Sequence, residues 1–241
     1  MMQEEECYYK LSDPQSGSAI LGTKDAGVGT KAVLAEKTPL SEIADAFEEL
    51  ARTLKTNKRA DNGEEELRMG TFCDACLLIS ELFNCLGVAF KFAEMEYAGK
   101  VRDLVEASKS SKSLRDLVNE DAANGTVRSP GSHSRNLRRV RQGLDLIRAL
   151  FEQFLATEDY SLKEAATFAY SQVCAPFHTW AVRTAVYAGM YTLPTREQLL
   201  LRLHETKASA EKKMRRYIEA CIPVTEYIDR LYISRNITLD W

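Results

Sequence analysis

Arg135 and Arg139 stand four residues apart in SHSRNLRRVRQGLDLIRALFEQFL, residues 132–155. A helix there carries Leu137, Val140, Leu144, Ile147, Phe151 and Phe154 on one broad face, which is ordinary core. A second stripe, roughly opposite, runs through Arg135, Arg139, Gln142, Leu146 and Leu150. Two guanidinium forks one turn apart can both reach one phosphate, and planar bidentate geometry suits arginine to that task better than lysine. The leucines follow about 10 Å further on, at a rise of about 1.5 Å per residue. Cationic at one end and apolar beyond is the pattern required by an amphiphile with an anionic head and an acyl tail. Alternatively, Arg135 and Arg139 pair with acids on a neighbouring helix, and this helix alone fits both readings. Arg138, Arg141, Asp145 and Arg148 fall between the stripes and are expected in solvent.

Phe92, Glu96 and Lys100 make a shorter stripe at i, i+4 and i+8, just after the apolar run VAFKFA. The spacing of Glu96 and Lys100 is that of a surface pair contributing a few tenths of a kcal/mol. The same carboxylate, at the edge of a core, can accept from an amide N–H and a hydroxyl, while the lysine adds a phosphate contact. His178 lies in CAPFHTWAVRTAVYAGMY, one of the most apolar stretches. A histidine there is either a satisfied core group or a neutral donor to a ligand carbonyl. Cys73 and Cys76 form a CxxC, but no second CxxC or paired histidine completes a zinc set, so they read as small buried hydrophobes. No nucleophile–base motif, phosphate-cradling glycine loop or HExxH is present. No enzyme, metal or cofactor is therefore expected.

These groups need helices to hold them. Leu40 to Leu54 has helical apolar spacing, and a long apolar-rich segment runs from Leu67 to about Val105 with a break at Gly87. A shorter polar helix is expected over 106–122, then a turn-rich stretch, AANGTVRSPGSHS. The helix carrying the arginines follows, and a Ser161/Glu164 capping box opens another that continues to about Gly189. A short helix at Leu193-Pro194-Thr195 and a long one from Ala208 to Ser234 complete seven or eight helices, an all-α domain. The first residues, 1–37, are low in periodic apolar content and read as a flexible N-terminal arm before a domain at 38–241.

The 241 residues carry a net charge of -3, so bulk charge supports neither nucleic-acid nor anionic-membrane binding. No apolar run approaches the roughly 20 residues that cross a bilayer. The acidic start, MMQEEECYYKLSD, is unlike a secretory signal, and six irregularly spaced cysteines suit a reducing cytosol.

Four blocks, CLGVAFKFAEMEYAGKV, GSHSRNLRRVRQGLD, APFHTWAVR and GMYTLPTR, resemble the glycolipid-transfer-protein superfamily, and within it the ceramide-1-phosphate carriers. The likeness runs from about Thr38 to Trp241. It implies a two-layer sandwich of helices enclosing an apolar lipid pocket. By resemblance, Glu96 holds the sphingoid amide and hydroxyl, Lys100, Arg135 and Arg139 hold the phosphate, and His178 meets the acyl-amide carbonyl. Glycolipid carriers stack a sugar on a tryptophan where this chain has Arg139, which favours phosphate.

Three residues depart from the family pattern. Glu96 replaces an aspartate, Gln142 a third cation, and Thr179 a glycine ahead of Trp180. Gln142, Thr179 and Trp180 are expected at the pocket mouth or against a membrane, with Tyr187, Tyr191 and Trp241 as further hints of membrane contact. The resemblance implies a cytoplasmic, peripherally membrane-associated carrier that moves a phosphosphingolipid, ceramide-1-phosphate or a relative, across a transient membrane contact. The alternative is a phospholipid sensor or helical binding protein that acts through a partner without transferring lipid.

Overall fold

A computed structural model of the protein describes residues 37–59, 66–87, 90–158 and 161–241. The expected N-terminal arm lies, up to residue 36, outside the described residues. Among the described residues there are nine α-helices and no strand beyond two isolated bridges. They are α1 (Pro39–Arg59), α2 (Met69–Cys85), α3 (Lys91–Ala107), α4 (Leu114–Ala123), α5 (His133–Ala156), α6 (Lys163–Val173), α7 (Trp180–Gly189), α8 (Arg196–Arg202) and α9 (Lys207–Ile233).

The helices pack in two layers. One runs α6, α5, α3 and the other α9, α1, α2, with α9 lying on α5 and α2 on α3. The broad apolar face of α5 behaves as its periodicity requires: Leu137, Val140, Leu144, Ile147, Phe151 and Phe154 are all buried. Phe151 meets the Tyr217 ring of α9 edge-on at 5.6 Å, and Tyr217 meets Phe47 of α1 at 4.9 Å. The Tyr217 hydroxyl donates to the Leu144 carbonyl at 3.0 Å, so this buried polar group keeps a partner while the three rings join the layers.

The contact that sets α3 against α5 depends on Gly143. A Cβ placed there would stand 2.7 Å from the Tyr97 ring. Seven residues earlier on α5, Asn136 donates at 3.0 Å to Asp103, which lies six residues after Tyr97 on α3. Moving from Tyr97 to Asp103 on α3 therefore means moving from Gly143 back to Asn136 on α5, so the helices run antiparallel. Lys100, midway along the first interval, lies level with Arg139, midway along the second.

Several boundaries differ from the sequence reading. Gly87 ends α2 as expected, with φ at +101°, a left-handed conformation that favours glycine. α3 continues to Ala107, and α4 starts only at Leu114, where Ser113 and Asp116 form a reciprocal capping box. Ser161 and Glu164 form none: Leu162 is the N-cap, and the Ser161 hydroxyl accepts only from the Lys163 amide. The helix expected from there to Gly189 is two helices, because Pro176 lacks an N–H and the chain turns through a 3-10 segment, Ala175–Phe177. The arginines expected in solvent are instead structural. Arg141 binds Asp145 at 2.8 Å and Asp229 of α9 at 2.6 Å, Arg148 binds Asp145 at 2.6 Å, and Arg138 is buried against Asp229 at 3.9 Å.

Gly143→Ala is expected to lower stability by about 1–3 kcal/mol, the usual cost of overpacking, because the Tyr97 ring is itself buried against Phe83. Chemical denaturation measures it; an unchanged midpoint would show that α3 can move off α5 freely.

Candidate functional site

Ser132 starts α5, its hydroxyl accepting from the Arg135 amide at 3.1 Å and donating to the Val127 carbonyl at 3.0 Å. This fixes Arg135 in the first turn and Arg139 in the second. Arg135 donates to the Arg128 carbonyl at 2.7 Å, and Arg139 donates to Gln142 Oε1 at 2.9 Å. Neither is paired with a carboxylate among the described residues, whereas Arg138, Arg141 and Arg148 of the same helix all are. Burial, and next the charge of Arg135, push the Arg139 guanidinium below its usual pKa. The pair is thus a half-buried concentration of positive charge, which an arriving anion would relieve.

The two guanidiniums open onto a cavity of about 240 Å³, walled also by Arg128, Phe177, Asp240 and Trp241. At about 30 Å³ per water, that is space for several waters or one phosphate group. Beyond the arginines the stripe turns inward and apolar, with Leu146 half-buried and Leu150 buried.

His178 follows Phe177 beside this cavity. Its Nδ1 lies 2.8 Å from the Tyr170 hydroxyl. Burial, and next the charge of Arg139, hold the imidazole below its ordinary pKa, so it is neutral at pH 7. Burial raises Tyr170 to about 12, which keeps its hydroxyl protonated. On α3, Lys100 binds Glu96 at 2.6 Å, with 27% and 59% of the two side chains exposed. Glu96 therefore stands further into solvent than the edge-of-core position expected for it. The α3–α5 register brings Lys100 level with Arg139 along the α6, α5, α3 layer, and Arg139 in turn is near enough to Arg135 and His178 for their charges to be felt.

The chain matches the family model described as glycolipid transfer protein over residues 67–205. It is 68% identical over 204 residues to an Arabidopsis thaliana homologue of accelerated cell death 11, covering 85% of this chain and 89% of that one. The chain belongs to the glycolipid transfer protein family. Its members are lipid carriers rather than enzymes. The crystal structure of a mutant Arabidopsis accelerated cell death 11 complexed with C12 ceramide-1-phosphate is similar too. It has 46% identity and a TM-score of 0.80, covering 86% of this chain and all of that one. Human ceramide-1-phosphate transfer protein is 27% identical over 156 residues, 59% of this chain and 72% of its own.

Against the glycolipid transfer protein family, the departures acquire physical roles. Gln142 is buried rather than at a mouth. It accepts from Arg139 and donates to the Val173 carbonyl at 3.1 Å, so it aims an arginine and ties the end of α6 to α5. Thr179 is the N-cap of α7, its hydroxyl accepting from the Val182 amide at 3.4 Å. Trp180 begins that helix and is 74% exposed; no residue of α7 is buried. Of the other aromatic hints, Tyr191 is exposed, Tyr187 meets the Tyr170 ring edge-on, and Trp241 packs on Tyr232. Sequence reading did not find Arg128, Asp240 or Tyr170. The first two lie outside any periodic segment, and Tyr170 reaches His178 only because the chain turns at Pro176.

An NMR titration is expected to place the His178 midpoint below 6.5, and Arg139→Gln is expected to raise it by removing a neighbouring cation. The fold favours the neutral ring, so any stability it contributes is present above the unfolded-state pKa and fades as pH falls. A midpoint unmoved by the substitution would mean that the two groups do not sense each other.

Proposed function

We propose that this protein carries one phosphosphingolipid, ceramide-1-phosphate, between membranes, using residues 38–241 as its lipid-transfer domain. The observation that carries the reading is the pair Arg135 and Arg139, half-buried on a cavity and without a carboxylate partner among the described residues, on a helix whose other arginines are all paired. The phosphate sits on these guanidiniums with Lys100 beside them. Glu96 exchanges its contact with Lys100 for the sphingoid amide and hydroxyl, which suits a carboxylate already exposed. Tyr170, still protonated, donates a hydrogen bond to Nδ1 of His178; the neutral ring then carries its proton on Nε2 and offers it to the acyl-amide carbonyl. The chains follow Leu146 and Leu150 between the layers. Relatives that bind or transfer ceramide-1-phosphate support this choice of lipid.

Delivery needs a surface that enters a bilayer briefly. α7 suits it, with Trp180 and Val182 exposed and Tyr191 just beyond. Among the described residues, no helix is long and apolar enough to cross a membrane. The contact proposed is therefore peripheral, and a cytoplasmic location follows from the same reading.

Arg139→Glu is expected to lower transfer of labelled ceramide-1-phosphate between vesicles at least about a hundredfold, since it removes a charged hydrogen bond and adds repulsion, while the thermal midpoint stays unchanged. Wild-type transfer by this variant would refute the headgroup site. Bound phospholipid without transfer by the wild-type protein would instead favour the sensor. Trp180→Ala should weaken vesicle association about tenfold, the effect of withdrawing one large apolar side chain, and leave binding of a short-chain ceramide-1-phosphate intact. Equal vesicle binding would remove α7 from the docking surface.

A further inference from the structure

Arg128 lies on the turn between α4 and α5, away from the arginine stripe, yet lines the same cavity. Its guanidinium donates to Thr238 Oγ1 at 2.6 Å, approaches Asp240 Oδ1 at 3.4 Å and lies 5.4 Å from the centre of the Trp241 ring. Its backbone carbonyl accepts from Arg135, so the turn that carries it is tied to the first headgroup arginine. The segment opposite is anchored without Arg128. Arg138 donates to the Leu239 carbonyl at 2.9 Å, the Trp241 indole N–H to the Thr238 carbonyl at 2.6 Å, and the Trp241 ring packs on Tyr232. The Thr238 hydroxyl also donates to Asp240 and holds its carboxylate in place. The Arg128–Asp240 contact is long, with 53% and 75% of the side chains exposed, and such pairs contribute little to stability. Its place at the cavity, rather than its strength, distinguishes it.

We propose that Asp240 is a resident stand-in for the lipid phosphate, holding Arg128 at the cavity before lipid binds and releasing it to the phosphate as a third guanidinium when lipid arrives. The inference rests on the phosphosphingolipid reading. Charge supports it: three guanidiniums against one carboxylate leave the cavity two positive charges, and a phosphomonoester carries about −1.5 to −2 at pH 7. Position supports it too. The third polar place on the α5 stripe is the neutral Gln142, so α5 supplies two cations and the turn before it supplies the next. The exchange replaces one long, exposed contact by charge-assisted bonds to a group held between fixed donors.

The test is a double-mutant cycle on the affinity of the full chain for ceramide-1-phosphate, with Arg139→Glu alongside. Arg128→Gln is expected to weaken binding about tenfold without lowering the thermal midpoint, and Asp240→Asn to strengthen it about threefold. In the Arg128→Gln background, Asp240→Asn should have no effect, because the carboxylate acts by occupying Arg128. Wild-type affinity in Arg128→Gln, with Arg139→Glu still defective, overturns this inference and leaves the headgroup site standing. An equal gain from Asp240→Asn in both backgrounds shows a carboxylate that merely repels the phosphate, and overturns the stand-in role. Normal binding by Arg139→Glu overturns the phosphosphingolipid reading itself.

Discussion

The positive charge left uncompensated at Arg135 and Arg139 is the constraint on which the rest of the molecule turns. Two like charges one helical turn apart destabilise a helix by a few tenths of a kcal/mol in the open and by more where, as here, both are half-buried. A protein indifferent to anions would relieve that with an acid, and this one has acids at hand: Asp145 and Asp229 neutralise Arg141, Arg148 and Arg138 along the same helix. The compensation stops at the end that opens onto the cavity. Arg139 is held instead by the neutral Gln142, and Arg135 by a backbone carbonyl. Both contacts orient a guanidinium without discharging it.

Everything that positions the site works through α5. Its apolar face is locked by the Phe151–Tyr217–Phe47 ring contacts, which leave the opposite stripe fixed in rotation. Gly143 lets Tyr97 close on it, so α3 lies near and in a register that sets Lys100 level with Arg139. Gln142 draws the end of α6 in, and the turn at Pro176 then sets Phe177 on the cavity with His178 next to it. The two-layer sandwich is thus a device for placing a cationic cluster at one end of an apolar interior. The unburied α7, beginning at Trp180 directly after the site, puts the proposed membrane contact next to the headgroup.

The all-α class and the α5 stripe were readable because helical period and residue type both report local structure. The Gly87 break was readable for the same reason. The failures were of longer range. Arg138 and Arg141 looked solvated because their partner Asp229 lies on α9, eighty or more residues away and invisible to periodicity, whereas Arg148 pairs with Asp145 and Glu152 of α5 itself. The Ser161/Glu164 pair fitted a capping pattern that Ser113 and Asp116 in fact realise. Pro176 was visible in the sequence, but the apolar run on both sides of it suggested one helix. Arg128 and Asp240 join the cavity through a turn and a closing segment, which carry no period from which to place them.

The most direct measurement is the mass of the lipid that the purified protein retains in native mass spectrometry after exposure to mixed vesicles of ceramide-1-phosphate, glucosylceramide and phosphatidylcholine. One ceramide-1-phosphate per chain is the result expected from a cavity on which Arg135 and Arg139 have no carboxylate partner among the described residues. Retention of glucosylceramide in its place, or of no lipid at all, would contradict the account.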